Sequence, residues 1–180
     1  MNGISVVIYG FNEAENFSRV ILEAHDQLKL IIDNHQLILV DDGSNDHTIQ
    51  VFQASQVQYP GLKIIRHKTK QGIGVCLKDG FCAADFDYVT FLPADGQIDP
   101  ADLKRCYQAI QDADVVTTYY STTNFPILRR VLSKSVRLLV LILFGPFPRI
   151  EGSYMFRREL LKTISLNCDS FAVNFEFIIK

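Results

Sequence analysis

Short apolar runs punctuate the chain from its start. Ser5–Tyr9 (SVVIY), Leu37–Asp41 (LILVD), Leu62–Arg66 (LKIIR), Tyr88–Leu92 (YVTFL) and Asp114–Thr118 (DVVTT) are rich in β-branched residues and nearly unbroken. Runs of this kind predict strands covered on both faces, because a half-exposed strand would alternate apolar with polar. After the first run, Phe17, Val20, Ile21, Ala24 and Leu28 recur at helical period, which predicts a helix with one apolar stripe. Asn12 and Glu15 have the spacing of an N-cap and its reciprocal partner. Asp46 is placed to cap the next helix, and Asp99 stands before a proline at a first helical position. Strand and helix in alternation predict an α/β domain with a mostly parallel sheet and helices on both faces.

Composition changes this picture little. The 180 residues form a single domain by size, residues 1–180, with 48% hydrophobic and 21% charged side chains. The net charge of −2 leaves no excess of Lys and Arg to neutralise a phosphate backbone, so a nucleic-acid partner is not expected. The four cysteines make no CxxC pair and no zinc spacing, and read as thiols in a reducing compartment. No basic and apolar leader opens the chain. The one greasy run, Leu138–Phe144 (LLVLILF), falls far short of the roughly 20 residues that a bilayer span needs. The expectation is a cytoplasmic protein, or one peripheral on the cytoplasmic face of a membrane.

Chemistry gathers behind three of the strands. Tyr9-Gly10-Phe11-Asn12-Glu13 follows the first, Asp41-Asp42-Gly43-Ser44-Asn45-Asp46 the second, and Pro93-Ala94-Asp95-Gly96-Gln97 the fourth. In a parallel sheet all three share the carboxyl edge, where such sheets bind ligands. Each alone reads equally well as a turn and helix cap; together and in this order they read as a site. The edge is acidic, so a phosphorylated ligand must arrive with a divalent cation, and carboxylate and amide oxygens suit Mg²⁺ or Mn²⁺. A carboxylate near a nucleoside would accept from ribose hydroxyls and base N–H groups.

These motifs resemble the family 2 glycosyltransferases of the GT-A fold, in the branch of dolichyl-phosphate mannose synthase and the bacterial polyprenyl-phosphate glycosyltransferases. Tyr9–Glu13 is similar to the family's opening motif, without its proline. Val40–Ser44 matches the family's Val-Asp-Asp-Gly-Ser, and Asp46 and Thr48 follow as expected. Gln71-Gly72-Ile73-Gly74 and Gly80-Phe81 resemble its glycine-bearing stretch. Pro93–Gln97 resembles the metal motif, Gly152–Arg158 a segment that follows the acceptor region, and Asn174-Phe175-Glu176 a late acidic motif. The likeness spans nearly the whole chain.

The resemblance implies a GT-A nucleotide-diphospho-sugar transferase fold and inverting transfer of a sugar from a UDP- or GDP-sugar. The implied acceptor is a polyprenyl phosphate or similar group. It implies Tyr9, Phe11, Glu13, Asp41, Asp42, Gly72, Ala94 and Asp95 at the nucleotide sugar, and Asp95 with Gln97 at the metal, Asp95 being the catalytic residue. Arg129, Arg157 and Glu176 are the candidates for acceptor or phosphate contact, and Asp99, Glu151 and Glu176 for a general base.

Three departures stand out. Pro93 occupies the place of the first acid of the metal motif, no arginine follows the fifth strand in Thr117–Tyr120, and the chain ends at Lys180 where family domains continue. The last motivates the expectation of a truncated C-terminus, and Pro93 with the short C-terminus motivates an alternative in which the protein is a degenerate, non-catalytic homologue that binds nucleotide sugar or a protein partner. Residues 129–149 carry Arg129, Arg130, Lys134, Arg137 and Arg149 around the apolar run, which suits either an interfacial helix on anionic lipid or a core helix with solvated basic positions. A dinucleotide fold is disfavoured because no GxGxxG follows the first strand. A phospho-receiver is disfavoured because Arg66-His67-Lys68 stands where its acceptor Asp would be.

Overall fold

A computed structural model describes residues 2–119, 135, 141–142 and 152–180. The elements run β1 (Ile4–Gly10), α1 (Ala14–Ile31), β2 (His35–Asp41), α2 (Thr48–Gln58), β3 (Lys63–Arg66), α3 (Ile73–Cys82), β4 (Tyr88–Pro93), α4 (Asp102–Ala109), β5 (Val115–Thr117), β6 (Tyr154–Arg157) and α5 (Val173–Ile179). They build a six-stranded sheet in the order β3-β2-β1-β4-β6-β5. β1 pairs in parallel with β2 and β4, and β2 with β3. β6 lies antiparallel to both β4 and β5, so it alone among the described strands runs against the others. The chain thus winds outward from β1 through β2 to β3, then returns to place β4 on the other side of β1. Crossovers therefore leave β1 and β4 in opposite directions, which opens a crevice at their carboxyl ends.

Alternation within the strands feeds two cores. Ile4, Val6 and Ile8 of β1 join Phe17, Val20, Ile21 and Leu28 of α1, Phe52 of α2 and Leu103 of α4 on one face. Val7, Ile38, Val40, Val89 and Phe91 join Leu77 and Phe81 of α3, Tyr154 and Phe156 of β6 and Phe177 of α5 on the other. Burying each such side chain contributes roughly 1.5–3 kcal/mol against chain entropy. Phe17 meets Phe52 edge-on with ring centroids 4.7 Å apart, which locks α1 to α2. The apolar runs are unbroken because both faces are covered.

Local capping differs from the expectation at Asn12. Helix α1 starts at Ala14, and Asn12 takes a left-handed backbone (φ 56°), a conformation Asn tolerates. The Ala14 N–H donates to Asp46 Oδ2 (3.3 Å), a residue 32 positions away. Asp46 also accepts from Thr48 N (3.0 Å) and Thr48 Oγ1 (2.6 Å), so one carboxylate serves the starts of two helices. Asp99 accepts from Ala101 N (2.9 Å) in the turn ahead of α4, but the helix starts at Asp102, so Pro100 precedes it instead of opening it.

Segment 129–149, apart from Ser135, Leu141 and Ile142, lies outside the described residues, and with it Arg129. Its brackets are fixed: Thr117 of β5 pairs with Tyr154 of β6, which places Thr118 and Gly152 at the carboxyl edge of the sheet.

Candidate functional site

Sheet order puts the three polar clusters side by side, behind β2, β1 and β4. Hydrogen bonds then stitch two of them together. Asn12 N donates to Ser44 Oγ (2.8 Å) and Asn45 N to Asn12 Oδ1 (3.0 Å). The third follows β4, whose neighbour is β1: Ala94 N donates to Tyr9 O (2.9 Å). At this edge lies a cavity of about 380 Å³, within the range of small-molecule sites. Tyr9, Phe11, Glu13, Ala94, Asp95 and Gln97 line it together. Phe11 presents an aromatic ring at its rim, with Lys70 Nζ 4.1 Å from the ring centroid.

Asp95 keeps one carboxylate oxygen on its own turn, where Oδ1 accepts from Gln97 N (3.0 Å). Tyr9 stands close enough to feel it. Burial first, and the negative charge of Asp95 second, push the Tyr9 phenol well above its ordinary range, so it remains a neutral donor.

Asp41 and Asp42 are at this edge too, but their carboxylates build the loop rather than line the cavity. Asp41 is fully buried; its Oδ1 accepts from Ser44 N (2.8 Å), and Arg66 Nε lies 3.2 Å from Oδ2. That approach is an ion pair, and among the described residues Oδ2 has no hydrogen-bond donor. Asp42 Oδ1 accepts from Gln71 N (2.8 Å) and His67 Nδ1 (2.9 Å), and Oδ2 from Gly72 N (2.9 Å). Burial opposes the Asp42 charge, but these donors outweigh it and hold the carboxyl below its usual range. Gly43 has to be glycine: it sits at φ 79°, and a Cβ there would fall 2.6 Å from the Thr69 carbonyl carbon.

The glycine stretch before α3 serves packing as well. Gly74 N donates to Asp169 O (3.0 Å), and a Cβ on Gly74 would lie 2.4 Å from the Asp169 carbonyl carbon. The 164–172 segment thus closes over the start of α3 and leads into α5. Gly72 is therefore placed between the Asp42 carboxylate and this segment, behind the cavity rather than on its lining.

Two acceptor candidates lie elsewhere. Arg157 pairs in register with Tyr88, the first residue of β4, so β6, running backwards, delivers it to the amino edge of the sheet. There it faces Asp114 (Nε–Oδ1 3.3 Å) and the Tyr88 ring. Glu176 is tied into its own neighbourhood: it accepts from Asn167 N (2.9 and 3.0 Å), Cys168 N (2.8 Å) and Lys180 Nζ (2.7 Å). Those partners, Lys180 first, lower its pKa to about 2. Its neighbours in the same motif do reach the cavity. Phe171, Asn174 and Phe175 line it with Ile73, Phe91 and Ile98. Asn174 and Phe175 lie in the first turn of α5 and Phe171 in the turn before it, and their i, i+3, i+4 spacing is the available signal.

A divalent cation fits the residues present. Mg²⁺ is commonly held by one or two protein carboxylates, with substrate phosphates and waters completing its shell. Asp95 on the cavity wall, with Gln97 beside it, meets that minimum although Pro93 supplies no acid.

Comparison with known proteins places this architecture. A dolichol-phosphate mannosyltransferase of Pyrococcus furiosus is 27% identical, over 98% of this chain and 52% of the relative. An undecaprenyl-phosphate 4-deoxy-4-formamido-L-arabinose transferase of Proteus mirabilis is 28% identical, over 93% and 52%. The chain thus spans about half the length of these relatives. Among solved structures, glucosyl-3-phosphoglycerate synthase of Mycobacterium tuberculosis with UDP superimposes at TM-score 0.66 (24% identity, 91% of this chain, 59% of that one). A mannosyltransferase of Pyrobaculum calidifontis with GDP-Man and Mn²⁺ does so at 0.66 (19%, 89% and 46%). Both share the GT-A fold. Residues 5–179 match the description "Glycosyl transferase family 2", and the chain belongs to that family.

Proposed function

We propose that this domain binds a UDP- or GDP-sugar with Mg²⁺ or Mn²⁺ in the crevice between β1 and β4 and transfers the sugar, with inversion, to a polyprenyl phosphate. The observation that carries the reading is the convergence of Tyr9, Phe11, Glu13, Ala94, Asp95 and Gln97 on one cavity at the switch point of the sheet. The relatives' names, each containing a polyprenyl phosphate, support the acceptor class. The neighbour bound to GDP-Man and Mn²⁺ supports the donor class.

Each residue then has a task. Phe11 offers an aromatic face to the base, and the Glu13 carboxylate accepts from nucleoside hydroxyls. Asp41 and Asp42 act on the nucleoside end through the loop they hold. The neutral Tyr9 phenol is placed near Asp95 to donate. Asp95, with Gln97, would hold the cation, which when bound stabilises charge on the departing diphosphate.

No free general base is required. A phosphate acceptor is already an anion, whereas a hydroxyl would need deprotonation. Of the base candidates, Glu176 and Asp99 are committed to local N–H groups, and Glu151 lies outside the described residues. The bracket residue Gly152 lines the cavity, and the 129–149 segment is proposed to meet the cytoplasmic face of a membrane. Among the described residues no helix is long and apolar enough to cross a membrane.

Pro93 favours a second reading, nucleotide-sugar binding without turnover. Metal-dependent binding of UDP- or GDP-sugars that is lost in Asp95→Ala tests the donor site. Transfer of labelled sugar to polyprenyl phosphate by the full-length protein then separates the two readings.

A further inference from the structure

One buried histidine is clasped on both sides. His67 follows β3, is 8% exposed, and both ring nitrogens face carboxylates: Nδ1 is 2.9 Å from Asp42 Oδ1 and Nε2 is 3.0 Å from Asp79 Oδ2. A neutral imidazole has one N–H and can donate to only one of them. With both carboxylates ionised, two donations require the imidazolium. The other groups facing the ring fit that charge state. Cys76 Sγ, on α3, is 4.0 Å from Nδ1, and burial followed by the nearby Asp42 pushes its thiol far up, so it stays uncharged. Of the flanking cations, Arg66 is paired with Asp41, and Lys68 is exposed. Burial works against the His67 charge, but the hydrogen bonds it donates to Asp42 and Asp79 outweigh it and raise its pKa.

The clasp leads to the cavity. Asp42 holds the N–H groups of Gln71 and Gly72, and between them and His67 lies Lys70, above the Phe11 ring at the cavity rim. We propose that His67 is a positioning residue: as an imidazolium bridging Asp42 and Asp79, it fixes the 67–72 segment that sets the nucleotide-facing rim formed by Lys70 and Phe11. Asp42, His67 and Cys76 place ligand atoms within 4.8 Å of one another, a spacing a metal ion could also use. The protonated ring accounts for the hydrogen bonds without one. Because a raised histidine pKa gives a hold that is complete at low pH and lost as pH rises through the folded-state value, nucleotide affinity should fall on the alkaline side.

This inference rests on the proposed donor site, and the test keeps the two apart. The His67 ring is titrated by NMR in the full chain, and UDP and GDP affinity is measured with Mg²⁺ from about pH 6 to about pH 9. Asp79→Asn, a half-exposed position off the cavity lining, is compared with wild type. The expected results are a His67 midpoint above the ordinary value and an affinity loss of about fivefold across it, on the scale of one hydrogen bond. In Asp79→Asn both midpoints move to lower pH together. A His67 that titrates at or below its ordinary value, an affinity flat with pH in wild type, or a midpoint insensitive to Asp79→Asn would overturn the role. So would a His67 resonance that changes on adding chelator, since a metal would then occupy the cluster. Absence of nucleotide binding at every pH would instead strike the donor site, while the NMR midpoint still reports on the clasp.

Discussion

Replacing Gly74 by alanine sets two effects of opposite sign against each other. Helix propensity favours alanine over glycine by up to about 1 kcal/mol, and Gly74 lies in the first turn of α3. The added Cβ, however, would stand 2.4 Å from the Asp169 carbonyl carbon and 2.6 Å from the carbonyl oxygens of Asp169 and Cys168. All three are backbone atoms, and their segment is pinned by the Gly74 N–H and by Glu176, so no flexible side chain can give way. Overpacking costs about 1–3 kcal/mol, and backbone neighbours that cannot yield put this case at about 2–3 kcal/mol, leaving a net loss of about 1–2 kcal/mol after the propensity gain. Urea unfolding followed by circular dichroism reads it. With a slope of about 1–3 kcal/mol/M, the midpoint should fall by about 0.5–1 M at unchanged slope. Nucleotide binding should weaken as well, because the displaced segment leads into Phe171, Asn174 and Phe175 on the cavity wall. A variant as stable as wild type, or more stable, would refute the close approach of 168–169 to α3.

Glu176 should leave an acid-side signature. Its pKa is lowered from 4.5 to about 2 by Lys180 and the Cys168 and Asn167 amides, so its contribution is present above about pH 4.5 and is lost as pH falls toward 2. Thermal melts across that window should show the loss in wild type and a flatter profile in Glu176→Gln. Asp46→Ala removes the carboxylate shared by Ala14 and Thr48. It should destabilise by about 1–2 kcal/mol in chemical unfolding, the scale of a lost cap; no change would mean that solvent satisfies both helix starts.

Elements held by their own sequence pattern were legible, and those held by distant partners were not. β1 to β4 could be placed to within two residues because strands covered on both faces must be continuously apolar. β6 and α5 are short and carry no such pattern: YMFR becomes a strand by filling the gap between β4 and β5. The Asn12–Glu15 spacing resembles a capping box, yet a carboxylate from the next loop caps α1, and local reading has no access to it. At the site, the edge and Asp95 were readable from strand-end position. That Asp41 and Asp42 would be occupied by Ser44, Gln71, Gly72 and His67 was not, since those partners come from turns whose shape the sequence pattern does not specify. Glu176 stands out in the sequence as an acid, but it is Asn174 and Phe175 of α5, with Phe171 just before the helix, that line the cavity.

Calorimetry of UDP- and GDP-sugars against this chain, with Mn²⁺ and with chelator, for wild type and Asp95→Ala, tests the central claim most directly. The account predicts binding of one nucleotide class that needs the metal and disappears in Asp95→Ala. Binding that persists unchanged in chelator or in Asp95→Ala, or no binding by the folded wild-type chain, would contradict it.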